Sequence, residues 1–261
     1  FIEHDLHKED GIYIWCHTNG SIRTFKGEDI IEKYLSKWGK RFQISMSHDG
    51  CGSRGEYIRY GYKDKKWLET FHRIYDTGAR LSIQHSINIF NILHQEECLN
   101  WYWNNCLSKL DDPAKIGLTI NSWGGIFKFD NIKYVPSLAQ QAVQGLKTCR
   151  DMCQTTTLNA RLPFEDGLLF NYVYDPSRDI FDQWNAMFEN GREYDQYINT
   201  ILLDDQDRQE YGFHEIQVNP PKSYAQIFID SVNKFDEMRG TEFHKIFPEL
   251  RPFWEFCNNG S

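Results

Sequence analysis

The sequence predicts a mixed α/β fold, a mixed sheet flanked by helices with a helix-rich C-terminal half, and three observations predict it. Short β-branched and aromatic runs, Gly11–Cys16 and Lys115–Asn121, are bounded by turn residues as buried strands are. Elsewhere apolar residues recur at helical spacing, without the strict strand–helix alternation of a doubly wound sheet. No repeat, low-complexity tract or Pro-rich linker divides the chain, so residues 1–261 are expected to pack as one domain.

In chain order, the first strand ends in the turn His17-Thr18-Asn19-Gly20. Ile30, Ile31, Tyr34, Leu35 and Trp38 then follow the spacing of an amphipathic helix over 28–38. Residues 42–62 read as extended, with Phe42, Ile44 and Met46 alternating before the glycine-rich turn His48–Gly55. Helices are expected over 66–76 and 79–107, the second kinked near Trp101–Trp103 and stopped at Asp111-Asp112-Pro113, because the residue before proline avoids helical geometry. The strand 115–121 leads through Ser122–Gly125 into a second extended run, Ile126–Phe129. A helix over 137–153 carries Leu138, Ala142, Leu146, Cys149 and Cys153 on one face, with Ser137 as its cap. Helices at 167–174, 179–190, 193–211 and 222–238 follow, and a strand, Phe213–Val218, lies between the last two.

Net charge of −8, from 29 basic and 37 acidic residues, excludes a broad phosphate-binding face, so nucleic acid is not an expected partner. No apolar run approaches the ~20 residues that cross a bilayer, and a soluble protein is expected. The seven cysteines contain no CxxC pair and fit no short disulfide framework, which favours a cytoplasmic, reducing compartment over the secretory lumen. Two triplets of glycosylation type, at Asn19 and Asn259, point the other way and are common by chance. The 18 Phe, 14 Tyr and 8 Trp exceed the needs of a core this size, so some are expected to line a groove.

Between Asn121 and His214 lie the candidate site residues. Trp123 offers a flat apolar face beside Gly124 and Gly125, where bare backbone lets a ligand approach. Glu165 and Asp166 stand at the mouth of an expected helix, where the unpaired amides of the first turn favour an ionised carboxylate able to act as a general base. This order, Gly-Gly at a strand end, Glu-Asp before a helix and a histidine in a later strand, resembles nucleotide-sugar-dependent glycosyltransferases of the GT-A kind. The resemblance covers about a third of the chain. It implies transfer of a sugar from a nucleotide-sugar donor to a carbohydrate or other hydroxyl acceptor, with Asp166 as base, Glu165 beside it, Trp123–Gly125 as pocket wall and His214 as a ligand to Mn²⁺ or Mg²⁺. The family's Asp-x-Asp motif stands upstream of its glycines. Here the upstream acidic pair is Asp111 and Asp112, without the spacer residue, and it completes the candidate metal set. Asp205-Gln206-Asp207 has the spacing but lies late in the chain, at the end of a helical pattern.

Each motif has a plainer reading: acidic residues in a first helical turn, a tight turn between strands, and a histidine on the apolar side of its strand with Ile216 and Val218. Two rival functions accompany the enzyme. One is a viral or extracellular structural protein whose aromatics serve self-assembly. The other is a hydrolase using Cys51, since Ser47–Gly52 sets a cysteine near His48 on a glycine-rich turn. That turn could alternatively hold a phosphate through its amides and Arg54. His85 and His94 read as surface or interface histidines on the long helix.

Overall fold

The computed structural model describes residues 14–21, 24–111, 116–122, 127–155, 192–202 and 224–259. Its centre is a four-stranded sheet, β1 (Ile14–Thr18), β4 (Phe42–Ser47), β5 (Arg80–Ile87) and β6 (Ile116–Ser122), parallel throughout and ordered as in the chain. A separate two-stranded antiparallel ribbon, β2 (Thr24–Phe25) with β3 (Glu28–Asp29), lies in the first crossover. There the expected helix over 28–38 is broken: Glu28 and Asp29 pair in β3, Ile31–Leu35 form one turn of π-helix, and α1 is only Ser36–Trp38. The Asp29 carboxylate accepts from the amides of Ile31 and Glu32 and so caps that turn.

Two further expectations are corrected. Residues 42–62 are not extended throughout, because α2 (Gly52–Ile58) follows β4 directly. Gly52 enters it at φ 55°, and a Cβ on Gly55 would stand 2.2 Å from the Gly50 carbonyl oxygen, so this tight corner accepts only glycine there. The expected helix 79–107 contains β5, then a 3₁₀ turn, Ile92–His94, and α4 (Gln95–Asn105). Leu81, Ile83, His85 and Ile87 alternate with Ser82, Gln84 and Ser86, a period of two that marks a strand. Phe127–Phe129 is likewise not strand; a 3₁₀ segment, Phe129–Tyr134, occupies that stretch.

The expected helices at 66–76 and 137–153 are present as α3 (Asp64–Asp76) and α5 (Pro136–Thr155). α6 (Arg192–Leu202) and α7 (Tyr224–Arg239) match parts of the last two expected helices. Two elements with no sequence expectation close the described fold, α8 (Phe243–Ile246) and α9 (Arg251–Asn259). The expected helices 167–174 and 179–190 and the strand 213–218 lie outside the described residues.

Right-handed crossovers between successive neighbouring strands place their helices on one side of a sheet. The contacts agree. Met46 and Trp67 of α3 both border Gly20, and Tyr102 of α4 hydrogen-bonds to His48 and His85, on the side formed by the even-numbered residues of β4 and the odd-numbered residues of β5. That side is apolar, with Ile44, Met46, Leu81, Ile83, Leu118 and Ile120 all buried. The opposite side is polar: Trp15 and His17 on β1, Gln43 and Ser45 on β4, Ser82, Gln84 and Ser86 on β5, Thr119 and Asn121 on β6. Parallel sheets ordinarily bury two apolar faces. Here one face is polar, with Gln43, Ser45 and Ser82 buried on it and Gln84, Ser86 and Asn121 partly exposed.

An aromatic cluster fastens the C-terminal helices to α2. Tyr57, Phe90, Phe228, Phe243 and Phe247 are all at most 2% exposed, with ring centroids 5.2–6.2 Å apart, and Phe253 of α9 packs edge-on to Phe228 at 5.1 Å. Each such ring contributes through burial, roughly 25 cal/mol per Å² of apolar surface, and through edge-to-face geometry. Among the described residues no helix is long and apolar enough to cross a membrane.

Candidate functional site

Backbone groups at the C-terminal ends of parallel strands point out of the sheet, and ligands of open α/β sheets bind there. In this chain a cavity of about 440 Å³ opens at that end, lined by Asn19, Asp49, Ile58, Arg59, Tyr60 and Ser86. Asn19 follows β1, Asp49 follows β4, and Ser86 ends the polar side of β5, so the cavity is the top of the polar face.

Asp49 organises it. Its side chain is 2% exposed; one oxygen accepts the Ser86 amide at 2.9 Å and the other accepts Arg59 Nε at 2.7 Å. Asn91 Nδ2 donates to the Asp49 carbonyl at 2.8 Å. With both oxygens engaged, Asp49 is a positioning residue for Arg59 rather than a base. The Arg59 guanidinium, 29% exposed, keeps two Nη groups with no hydrogen-bond partner among the described residues. A guanidinium held through Nε presents those donors as a planar fork suited to carboxylate or phosphate.

Beneath Asp49, on the helix side, lies a fully enclosed polar layer. His48 Nε2 meets the Tyr62 hydroxyl at 2.6 Å and Nδ1 meets the Tyr102 hydroxyl at 2.9 Å, while the ring stacks on Trp101 at 4.5 Å and stands edge-on to Trp67 at 4.9 Å. Burial, then the neighbouring His85 and Arg59, hold His48 well below the usual histidine range. His85 Nδ1 faces the His48 carbonyl at 2.8 Å and Nε2 faces Gln95 Oε1 at 3.0 Å. Burial lowers His85 as well, opposed by the charge of Asp49 and by those two acceptors, which a doubly protonated ring would satisfy together. The layer fixes the backbone from which Asp49 projects. It gives the cavity no acid or base of its own. His85 is therefore a core residue of β5 at 1% exposure, not the expected surface histidine of a helix.

The other residues of the glycine-rich turn are committed elsewhere. The Gly52 amide donates to the Asp64 carboxylate, at 3.0 Å to its nearer oxygen. Arg54, the expected phosphate ligand, pairs with Glu97 at 2.9 Å and lies 3.7 Å from Glu249, which also pairs with His94. Cys51 and Cys98 are free thiols in hydrogen-bonding contact, and that contact with burial pushes the Cys51 thiol far above the usual range, which opposes a thiolate nucleophile. His48, its expected partner, is closed off inside the tyrosine layer.

Of the residues expected to carry sugar transfer, Trp123, Gly124, Gly125, Glu165, Asp166, His214 and Asp112 lie outside the described residues. Asp111 is described and is an exposed bend residue after the 3₁₀ turn Leu107–Lys109. Among the described residues no group of three or more His, Cys, Asp or Glu side chains could hold a metal ion. Sequence reasoning missed Asn19, Asp49, Arg59 and Ser86 as one site. The usable signal was parity: Asn19 and Asp49 continue the polar side of β1 and β4 past their ends, and Ser86 is the last residue on the polar side of β5. Comparison with protein-family models, curated proteins and solved structures returns no match for this chain.

Proposed function

We propose that this chain is the ligand-holding α/β unit of an enzyme, and that it seats the anionic group of a small polar molecule on Arg59 at the C-terminal rim of its parallel sheet. One observation carries the reading: a buried carboxylate, Asp49, holds Arg59 by Nε and leaves its Nη fork facing a polar cavity of about 440 Å³. Ser86 and Asn19 supply neutral hydrogen-bonding groups beside it. The nucleotide-sugar donor expected from the sequence belongs to this ligand class, since its diphosphate suits a guanidinium fork. Sugar transfer to a hydroxyl acceptor, with Asp166 as base, is the reaction we propose for it.

The test is titration calorimetry with pyrophosphate, nucleoside diphosphates, nucleotide sugars and small dicarboxylates against wild type, Arg59→Gln and Asp49→Asn. At least one anion should bind wild type and lose about tenfold or more affinity in Arg59→Gln, one charge-assisted hydrogen bond being worth roughly 1.5–3 kcal/mol. Asp49→Asn should weaken the same ligand by freeing the guanidinium. Equal binding by wild type and Arg59→Gln, or no anion bound at all, would remove the proposal. Donor turnover with Mn²⁺, compared in wild type and Asp166→Asn, separately tests the transfer step.

A further inference from the structure

Below the cavity the polar face carries a feature that the anion site does not use. Trp15 is 49% exposed on β1, yet its indole is held in place: Nε1 donates to Ser45 Oγ at 3.2 Å, across to the next strand. Ser45 in turn shares a 2.8 Å hydrogen bond with Ser82 of β5, and the His17 ring stands edge-on to the indole at 4.4 Å. A large apolar ring kept half exposed, on a face otherwise made of hydroxyls and amides, costs burial that the same residue would gain on the helix side. An oriented indole in a polar trough has the character of a stacking platform.

Its distance from the cavity follows from the strand register. Ser45 pairs with His17, so the indole nitrogen sits at the level of His17, two residues below Asn19 and four below Asp49. At about 3.3 Å per residue along the sheet, the platform lies roughly 7–13 Å below Asn19 and Asp49, which line the anion cavity. That interval matches the separation of base and phosphates in a nucleotide. The second exposed ring near the cavity, Tyr60, is 77% exposed and has no hydrogen bond among the described residues to orient it.

We infer that Trp15 is a ring-binding subsite, and that the ligand held at Arg59 joins its anionic group to a flat ring that stacks on this indole. This rests on the anion-binding reading above and narrows it to a nucleotide-like ligand.

The experiment compares pyrophosphate, a nucleoside and the matching nucleoside diphosphate by calorimetry on wild type, Trp15→Ala, Trp15→Phe, Tyr60→Ala and Arg59→Gln. The nucleoside diphosphate should bind wild type about tenfold or more tighter than pyrophosphate, the increment of one stacked base. Trp15→Ala should erase that increment while pyrophosphate affinity stays unchanged, Trp15→Phe should keep most of it, and Tyr60→Ala should leave it intact. If pyrophosphate binds through Arg59 and the ring adds nothing, or if Tyr60→Ala rather than Trp15→Ala removes the increment, the subsite falls and the anion site stands. Should neither pyrophosphate nor the diphosphate bind wild type, the subsite falls, and the anion site falls with it if the dicarboxylates also fail to bind.

Discussion

Lowering the pH should destabilise this protein through His48 before its carboxylates are touched. The ring is wholly enclosed, and burial depresses its proton affinity first, with His85 and Arg59 adding to the effect. In the unfolded chain the same ring titrates near 6.5, so below that value the unfolded state binds a proton that the folded state refuses, and stability falls as pH falls. For one histidine that stays neutral in the fold, the folded-to-unfolded ratio drops by at most about tenfold for each pH unit below 6.5. Burial lowers His85 too, against the charge of Asp49 and its two acceptor contacts, so it adds a smaller effect of the same sign. Asp29 and Glu249, both held below the usual carboxylate range, withdraw their stabilisation only at lower pH, which sets the useful window at about pH 7 to 5. Urea unfolding across that window should give a free energy that declines as pH falls in wild type and declines less in His48→Asn, which carries no titratable ring. A flat profile in wild type, or the same slope in both proteins, would refute a neutral His48.

Three further outcomes follow from the packing. Gly55→Ala forces a Cβ to within 2.2 Å of the Gly50 carbonyl oxygen and should cost about 3 kcal/mol or more, read as a lowered urea midpoint, since Gly50 backbone and the buried Tyr62 ring crowd the site. Tyr102→Phe keeps the ring but removes the hydroxyl shared by His48 and His85, and should cost about 1–3 kcal/mol by the same measurement. Cys51 should label slowly with a thiol reagent near neutral pH in the folded protein and quickly in urea, because its contact with Cys98 and its burial disfavour the thiolate; fast labelling of the native chain would restore the nucleophile reading.

Much of the fold was legible because periodicity records burial. α3 and α5 keep one apolar face each, and β6 is a short continuous apolar run, so their patterns survive without knowledge of their neighbours. β5 was read as helix because Ala79–Leu107 is apolar enough to satisfy either period locally. Its strand character depends on pairing with β4 and β6, a choice made by partners far away in sequence. α2 was hidden for the opposite reason: three glycines between 50 and 55 announce a turn, and only the close approach of Gly55 to Gly50 reveals that they allow a helix to start against the strand end. The anion site was illegible as a unit, since Asn19, Asp49, Arg59 and Ser86 belong to no spacing motif. They meet because the C-terminal ends of three neighbouring parallel strands lie side by side.

That the strands lie side by side in the order in which they leave the ribosome has a consequence for how the chain acquires its shape. Each new strand–helix unit finds its docking edge already present, so β4 can settle on β1, β5 on β4 and β6 on β5 without waiting for anything downstream. Pairing between nearest units keeps loop closures short, which favours rapid assembly despite an all-parallel sheet. The aromatic clasp supplied by α7, α8 and α9 arrives last, sealing onto α2 and Phe90 after the sheet has formed.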